Sequence, residues 1–264
     1  MGRMGADEVL QGGMANAGAV VRVGDTVRRP RRSNSDSVAA LLQHLETVGF
    51  SGAPRYLGTD DKDRDVFTFI EGDVPIPPFP SWIASDDAVQ EVARLLAEYH
   101  AASASFEWAG HRWSDELRDE GTPELVCHND VCPENVVFRN GRAVALLDFD
   151  FAAPGRRLWD GAMAIRMWGA LPNLDGARIP ADVSLRLLAA FAKAFQVPHA
   201  EAAAFVDAVW EAHRCGSRFV QRRLEAREPA YERKWSGSHE ARAKTAEGWF
   251  VANRERLIAA VAEQ

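Results

Sequence analysis

Residues 71–80 read Glu-Gly-Asp-Val-Pro-Ile-Pro-Pro-Phe-Pro, with prolines at 75, 77, 78 and 80. Proline has no amide proton to give to a helix or a central strand, so neither can run through this stretch. The pattern differs on its two sides. Upstream, residues 17–29 hold two β-branched runs around Gly24-Asp25, a two-residue hairpin signal that predicts a pair of antiparallel strands. Val38, Leu41, Leu42 and Leu45 then recur at helical spacing, with Ser35 or Asp36 placed to cap the start and Gly49 to end the helix, which should pack on the hairpin. Pro54 to Gly58 and Val66 to Ile70 read as further strands on either side of a charged turn from Asp60 to Asp65.

Downstream the period becomes helical. Ser85 can cap a helix whose apolar face is Ala88, Val92, Leu95, Leu96 and Tyr99. Later stripes run through Leu187, Leu188, Phe191 and Phe195, through Val206, Val209, Trp210 and His213, and through Phe250, Leu257, Ile258 and Val261. The expected organisation is α+β and bilobal, with a small β-rich lobe over residues 1–72 and a larger, mainly helical lobe over 73–264. A length of 264 residues suits two such units at roughly 150 residues each.

Lysine and arginine number 31 against 38 aspartates and glutamates, a net charge of −7, which argues against a dedicated nucleic-acid binder and for small-molecule partners. No apolar run approaches the roughly 18 residues of a membrane span, and no secretory pattern opens the chain, so no membrane partner and a cytoplasmic location are expected. Cys127, Cys132 and Cys215 are too few for a disulfide framework and read as reduced thiols.

The chemistry concentrates in residues 124–150, a polar loop followed by a hairpin turning at Asn140-Gly141. His128, Asp130 and Asn135 form H-x-D-x-x-x-x-N, and Asp148 follows at the end of the apolar run from Ala143 to Leu147. Phosphoryl transfer needs a carboxylate to orient the attacking hydroxyl, oxygen donors for magnesium, and a cradle for the remaining phosphate charge. Asp130 can accept the hydroxyl proton, while Asn135 and Asp148 offer the hard oxygens that magnesium prefers. Asp130 and Asn135 also belong to residue types that simply form turns.

On these residues the chain resembles the aminoglycoside phosphotransferase and choline kinase superfamily, which has a protein-kinase-like fold. The likeness runs from about Leu10 to the final helices, and its motifs are His128-Asn129-Asp130 with Pro133 and Asn135, Asp148-Phe149-Asp150, and Leu158-Trp159-Asp160-Gly161-Ala162. The resemblance implies that Asp130 is the catalytic aspartate, that Asn135 and Asp148 bind magnesium, and that ATP or GTP is the donor. It also implies that Asp160 braces the catalytic loop through backbone hydrogen bonds, with His128 a structural residue of that loop. Asp160 can equally be read as a helix cap, and Asp150 as a hydrogen-bond acceptor beside Asp148.

Members of the superfamily contact the nucleotide phosphates through a strand lysine paired to a glutamate on the next helix, and neither residue is evident here. With Gly24-Asp25 as the turn, Val23 faces Thr26 and Val20 faces Arg29, so Arg22 and Arg29 share one side of the hairpin. Arg29 is the candidate for the phosphate contact, with Arg22 beside it and Arg28 the alternative if the register slips. Val38 stands where the helix glutamate is expected, leaving Asp36 as the nearest acid. The run Arg28-Arg29-Pro30-Arg31-Arg32 is open to three readings, a phosphate cradle, a solvated turn or a nucleic-acid contact. Gly12-Gly13 and Gly18 would let backbone approach a phosphate, and Phe69, Ile70 and Glu71, ending at Gly72, would form the hinge that holds the nucleobase.

Acceptor choice belongs to the helical part. Residues 211–247 hold nine lysines and arginines against six acids, and Arg156, Arg157 and Arg166 follow the metal-ligand segment, so a polycationic acceptor is not matched by an acidic cleft. A neutral or weakly charged hydroxyl compound, such as a sugar or nucleoside-type antibiotic, is expected, although a solvated helical face accounts equally for many of these charges. Trp159, Trp168, Trp210, Trp235 and Trp249 are either core residues or platforms for such a ligand. Two functions follow: a magnesium-dependent small-molecule kinase, or a binding or immunity protein that keeps the fold without efficient phosphotransfer.

Overall fold

The structure, a computed structural model, describes residues 8–10, 19–169, 171 and 180–264. Gly12, Gly13 and Gly18 lie outside the described residues, as do residues 172–179. The first part is a five-stranded antiparallel sheet in the order β1-β2-β3-β5-β4, made of β1 (Glu8–Val9), β2 (Val21–Val23), β3 (Thr26–Pro30), β4 (Tyr56–Thr59) and β5 (Arg64–Thr68). The hairpin turns at Gly24-Asp25 as expected, with Gly24 at φ 61° and Val23 opposite Thr26.

The second hairpin is shifted from the sequence reading. The Asp60 carboxylate accepts the amides of Lys62 and Arg64, each at 3.0 Å, and so closes a turn that ends at Asp63. Asp65 is therefore a buried strand residue and no part of the turn. Helix α1 (Ser35–Thr47) starts differently too. Neither Ser35 nor Asp36 caps it: Asn34 holds the cap position and sends its amide to the Asp150 carbonyl at 2.9 Å. Ser35 instead donates to Asp65, and Asp36 pairs with Arg31. The helix buries Val38, Leu41, Leu42 and Leu45, and its principal neighbours are β4, the turn at 149–151 and the long helix that follows, more than the first hairpin.

Helix α2 (Asp86–Ser103) has the anticipated Ser85 cap, whose hydroxyl accepts the Ala88 amide at 3.2 Å, and it buries the whole predicted apolar face. Beyond it come the short pair β6 (Leu125–Cys127) and β9 (Ala153–Gly155), which encloses the hairpin β7 (Val136–Arg139) and β8 (Arg142–Leu146). Four longer helices and one short one complete the part: α3 (Arg157–Ile165), α4 (Ala181–Phe195), α5 (Ala202–Glu225), α6 (Pro229–Trp235) and α7 (His239–Ala262). Helix α4 packs on α2, α3 on α5, and α7 across α4 and α5. Their buried stripes include Leu187, Phe191, Phe195, Val206, Leu257 and Val261, all at most 1% exposed, so these positions are core, whereas His213 lines a cavity. The architecture is bilobal α+β. Among the described residues no helix is long and apolar enough to cross a membrane, and the three cysteines are free and buried.

Candidate active site

Strand β6 delivers the chain into a loop, residues 128–135, that is braced from behind by Asp160 on α3. Asp160 is fully buried and accepts the backbone amides of His128 and Asn129, each at 2.8 Å, and it meets His100 Nε2 at 2.8 Å. Burial alone would raise its carboxyl, but the His100 hydrogen bond and charge, His128 and the Asn129 amide together hold it below the usual carboxylate range. The residue is thus a loop brace and does not merely cap a helix. His128 is equally structural: its Nε2 bonds the Leu147 carbonyl at 2.9 Å and its Nδ1 accepts the Asp130 amide at 3.3 Å, with burial lowering its pKa. Asn129, at φ 66°, donates to the Phe151 carbonyl and accepts the indole of Trp159, so Trp159 supports the loop.

Asn135 closes the loop on itself, its amide donating to the Asp130 carbonyl and to Asp130 Oδ2, both at 2.9 Å. Asp130 is only partly exposed, and burial together with the negative charge of Asp148 pushes its carboxyl up to about 7. Asp148 adopts the left-handed backbone, φ 58° and ψ 74°, a conformation Asp tolerates better than most residues. Asp130, Asn135 and Asp148 therefore come together, as the spacing suggested.

Two cavities meet at these residues. One is a mainly apolar slot under the sheet, with Val27, Val38, Phe67, Phe69 and Ile70 among its walls. The other lies among the C-terminal helices and includes Asp130, Arg166, His213, Phe219, Tyr231 and Trp235. Glu134, Asn135 and Asp148 line both, and Asp130 belongs to the helical cavity alone. A molecule in the slot and another in the helical cavity would thus face each other across Asn135 and Asp148.

Arg29 lines the slot and is 8% exposed. Its Nη1 stands 2.7 Å from Asp148 Oδ1 and 2.6 Å from Asp150 Oδ1, while Arg32 Nε reaches Asp150 Oδ2 at 2.6 Å. Asp150 is thereby an arginine anchor. Arg28 points to the other face and pairs with Asp60 at 3.4 Å, so Arg29 is the hairpin cation brought to the site. Arg22 shares Arg29's side of the hairpin but is placed elsewhere: its guanidinium lies 3.7 Å over the Phe69 ring and its Nε donates to the Gly24 carbonyl, and it does not line the slot. Of the expected hinge, Phe69, Ile70 and Gly72 line the slot, whereas Glu71 is exposed with its carbonyl taken by Arg139 at 2.7 Å.

The donor set suits magnesium. The ion commonly takes one or two carboxylates plus phosphate oxygens and water, and one carboxylate with one amide oxygen at the junction of two cavities supplies that share. Among the described residues no cluster of three His, Cys, Asp or Glu side chains suggests a closed metal site of another kind.

In the helical cavity the sequence reading foresaw residue types more than positions. Arg214, Arg218 and Arg222 are largely solvated, so much of the basic excess is surface. Arg156 is bound to Asp119 at 2.7 Å, and Arg157 reaches the Phe195 carbonyl. Of the tryptophans named above, only Trp235 lines the cavity; Trp168 is 3% exposed and donates to the Val131 carbonyl.

Comparison with known proteins bears on the fold that carries this site. Residues 107–195 match the family model described as the phosphotransferase enzyme family. The trifolitoxin immunity protein of Rhizobium leguminosarum bv. trifolii is 36% identical over 52% of this chain and 53% of its own. The chain thus spans about half the length of the curated relatives it matches. Among solved structures, a choline/ethanolamine kinase family protein from Mesorhizobium loti superposes with a TM-score of 0.63 at 16% identity, covering 98% of this chain and 93% of that one. The gentamicin complex of APH(2'')-IIa gives 0.57 at 15% identity, over 99% and 91%. The chain shares its fold with aminoglycoside phosphotransferases and choline/ethanolamine kinases of known structure, and its middle third matches the phosphotransferase enzyme family.

Proposed function

We propose that this protein is a magnesium-dependent kinase that transfers the terminal phosphoryl group of ATP or GTP to a hydroxyl of a small molecule, an antibiotic or a related metabolite. One observation carries the reading: Asn135 and Asp148 form a wall shared by the two cavities, with Asp130 on the far side of that wall only. The nucleotide occupies the slot, its base between the sheet and Phe69-Ile70 and its phosphates toward Arg29; residues 1–72 make up most of this nucleotide-binding lobe. Asn135 and Asp148 hold magnesium, which when bound neutralises charge on the phosphate oxygens. The acceptor enters the helical cavity, where Asp130 orients its hydroxyl toward the phosphorus and takes its proton as the bond forms. Asp160 keeps the loop in place while this happens, because the two amides it holds belong to the residues just before Asp130.

The second reading, a binding or immunity protein of this fold without efficient transfer, is favoured by the likeness to the trifolitoxin immunity protein and by arginine in place of the usual strand lysine. Magnesium-dependent nucleotide binding by calorimetry, followed by transfer of labelled terminal phosphate to a panel of hydroxyl compounds, separates the two. The kinase reading expects both; binding with no transfer to any compound favours the second. Asp148→Ala is expected to weaken magnesium-nucleotide binding, and unaltered metal dependence would remove it from the proposed metal site.

A further inference from the structure

The helical cavity holds a buried guanidinium that no hydrogen bond or ion pair among the described residues neutralises, although the charge of Asp130 acts on it at longer range. Arg166, one residue past α3, is 6% exposed, and its guanidinium makes no hydrogen bond or ion pair among the described residues. Burying an unpaired guanidinium is among the costliest arrangements a fold can hold, and such groups normally find a carboxylate. Here the packing makes room for the charge instead. Helix α5 presents Gly216 beneath it, where an added Cβ would lie 2.6 Å from Nη1. His213, one helical turn earlier, is also 6% exposed, and neither ring nitrogen has a partner. Burial and the Arg166 charge lower its pKa to about 4, so the ring is neutral and can donate one hydrogen bond. The indole nitrogen of Trp235 is a third buried donor without an acceptor.

All three side chains line the cavity that contains Asp130, and none lines the nucleotide slot. The cavity's acids, Asp130, Glu134 and Asp148, all belong to the loop or the strand end beside the shared wall. Its other walls are largely apolar or aromatic, including Leu117, Phe151, Phe219 and Tyr231, with Ser217, His239 and the cations Lys234 and Arg242 also on the lining, and its free volume is about 170 Å³. That is below the roughly 300–1,000 Å³ usual for drug-sized ligands, so the occupant is compact.

We propose that Arg166, with His213 and Trp235, forms an anion subsite and that the acceptor is a compact hydroxy acid: a hydroxyl at Asp130, an apolar body against the aromatic walls, and a carboxylate on the Arg166 fork. An arginine fork matches the two oxygens of a carboxylate. The ligand thereby supplies the direct ion-pair partner that Arg166 lacks among the described residues. A polycationic acceptor is disfavoured by the same charge. The assignment of the hydroxyl end rests on the kinase reading; the carboxylate end does not.

The test separates these two parts. Thermal melting of the nucleotide-free protein is followed with aliphatic and aromatic hydroxy acids, each beside its primary amide and its amino-alcohol counterpart. The same panel is then assayed for phosphotransfer with magnesium and ATP. Acids are expected to raise the melting temperature where amides and amines do not, and Arg166→Gln is expected to abolish that rise. In the transfer assay the acid should exceed its amide by roughly tenfold to a hundredfold in kcat/KM, the range of a charge-assisted bond, and Arg166→Gln should erase the ratio with the KM for ATP unchanged. Gly216→Ala, which crowds the guanidinium without touching its charge, should weaken acid binding in the same sense. Acid-specific stabilisation without transfer would leave the subsite standing and sink the kinase reading alone. No acid-specific stabilisation, or an Arg166→Gln defect that falls equally on acid, amide and ATP, would overturn the subsite.

Discussion

Arg29 Nη1 lies 2.7 Å from Asp148 Oδ1, so the cation of the third strand is bound to the carboxylate that ends an apolar run 119 residues further along the chain. The resemblance read from the sequence leads one to expect a glutamate on the first helix as partner for that cation, at the position of Val38; Val38 lines the slot, and Asp36 turns outward to Arg31. The charge on β3 is balanced by the metal-ligand segment itself. If the proposed function holds, Arg29 exchanges part of its hold on Asp148 for phosphate oxygens when magnesium-nucleotide binds, while Asp150 remains its anchor.

Removing this cation should be felt in two ways. Arg29→Ala removes the cation that pairs with both Asp148 and Asp150, and breaking a buried pair typically costs about 3–5 kcal/mol. Because Asp148 is 30% exposed, about 3 kcal/mol by urea unfolding is expected. Nucleotide affinity should fall with it. Arg29→Lys should recover much of the stability, since one ammonium can sit between two acids, but less of the affinity, because the two-pronged phosphate contact is gone. A variant Arg29→Ala that binds magnesium-ATP as tightly as the parent would place the phosphates elsewhere.

Asp160 offers a test of the loop brace. Asp160→Ala removes the acceptor of two buried amides and of His100 together, a loss expected to cost about 3 kcal/mol or more in folding free energy. Asp160→Asn keeps one acceptor oxygen and should retain more of the fold. The distinguishing measurement is hydrogen exchange at the His128 and Asn129 amides, which should accelerate in both variants; unchanged protection would mean the loop is held by its other contacts.

Asp130 should show the conflict between function and stability. Its carboxyl is held at about 7, against 3.8 for a free aspartate, so between those values the folded protein keeps a proton that the unfolded chain has lost. Stability from this group is present below about pH 4 and disappears as pH rises through 7. Asp130→Asn removes that dependence: it should melt higher than the parent at pH 8, match it near pH 4, bind magnesium-ATP with similar affinity and transfer no phosphate. Retained turnover would take Asp130 out of the proposed chemistry.

The features legible in the sequence were those set by neighbours in the chain. The Gly24-Asp25 turn, the Ser85 cap, the Asn140-Gly141 hairpin and the loop from His128 to Asn135 depend on local backbone chemistry, and each lies where its residues indicate. What escaped were choices between competing partners. Ser35 can cap a helix, but a hydrogen bond to buried Asp65 takes its hydroxyl; Asp65 can sit in a turn, but Asp60 claims the turn amides first. The pairing of Arg29 with Asp148 and Asp150, and the absence of a hydrogen-bond or ion-pair partner for the Arg166 guanidinium among the described residues, are properties of the assembled tertiary structure. Counting charges over residues 211–247 blurred solvated arginines with the few groups that face the cavity.

His213 gives the protein a weakness toward acid that can be dissected. Its folded pKa is about 4 against 6.5 for a free imidazole, lowered by burial first and then by Arg166 and His239. Between these values the unfolded chain binds a proton that the folded one refuses, so stability falls as pH drops from about 6.5 toward 4. The gap corresponds to roughly 3 kcal/mol when fully expressed. His213→Phe keeps the stack on Trp210, whose ring centroid is 5.2 Å away, and removes the titration. Its unfolding free energy should therefore decline less steeply than the parent's between pH 6.5 and 4.5 in urea titrations. Parallel curves for the two proteins would mean that the parent accommodates a charged His213, by admitting water or shifting Arg166, and that this ring is not the source of acid sensitivity.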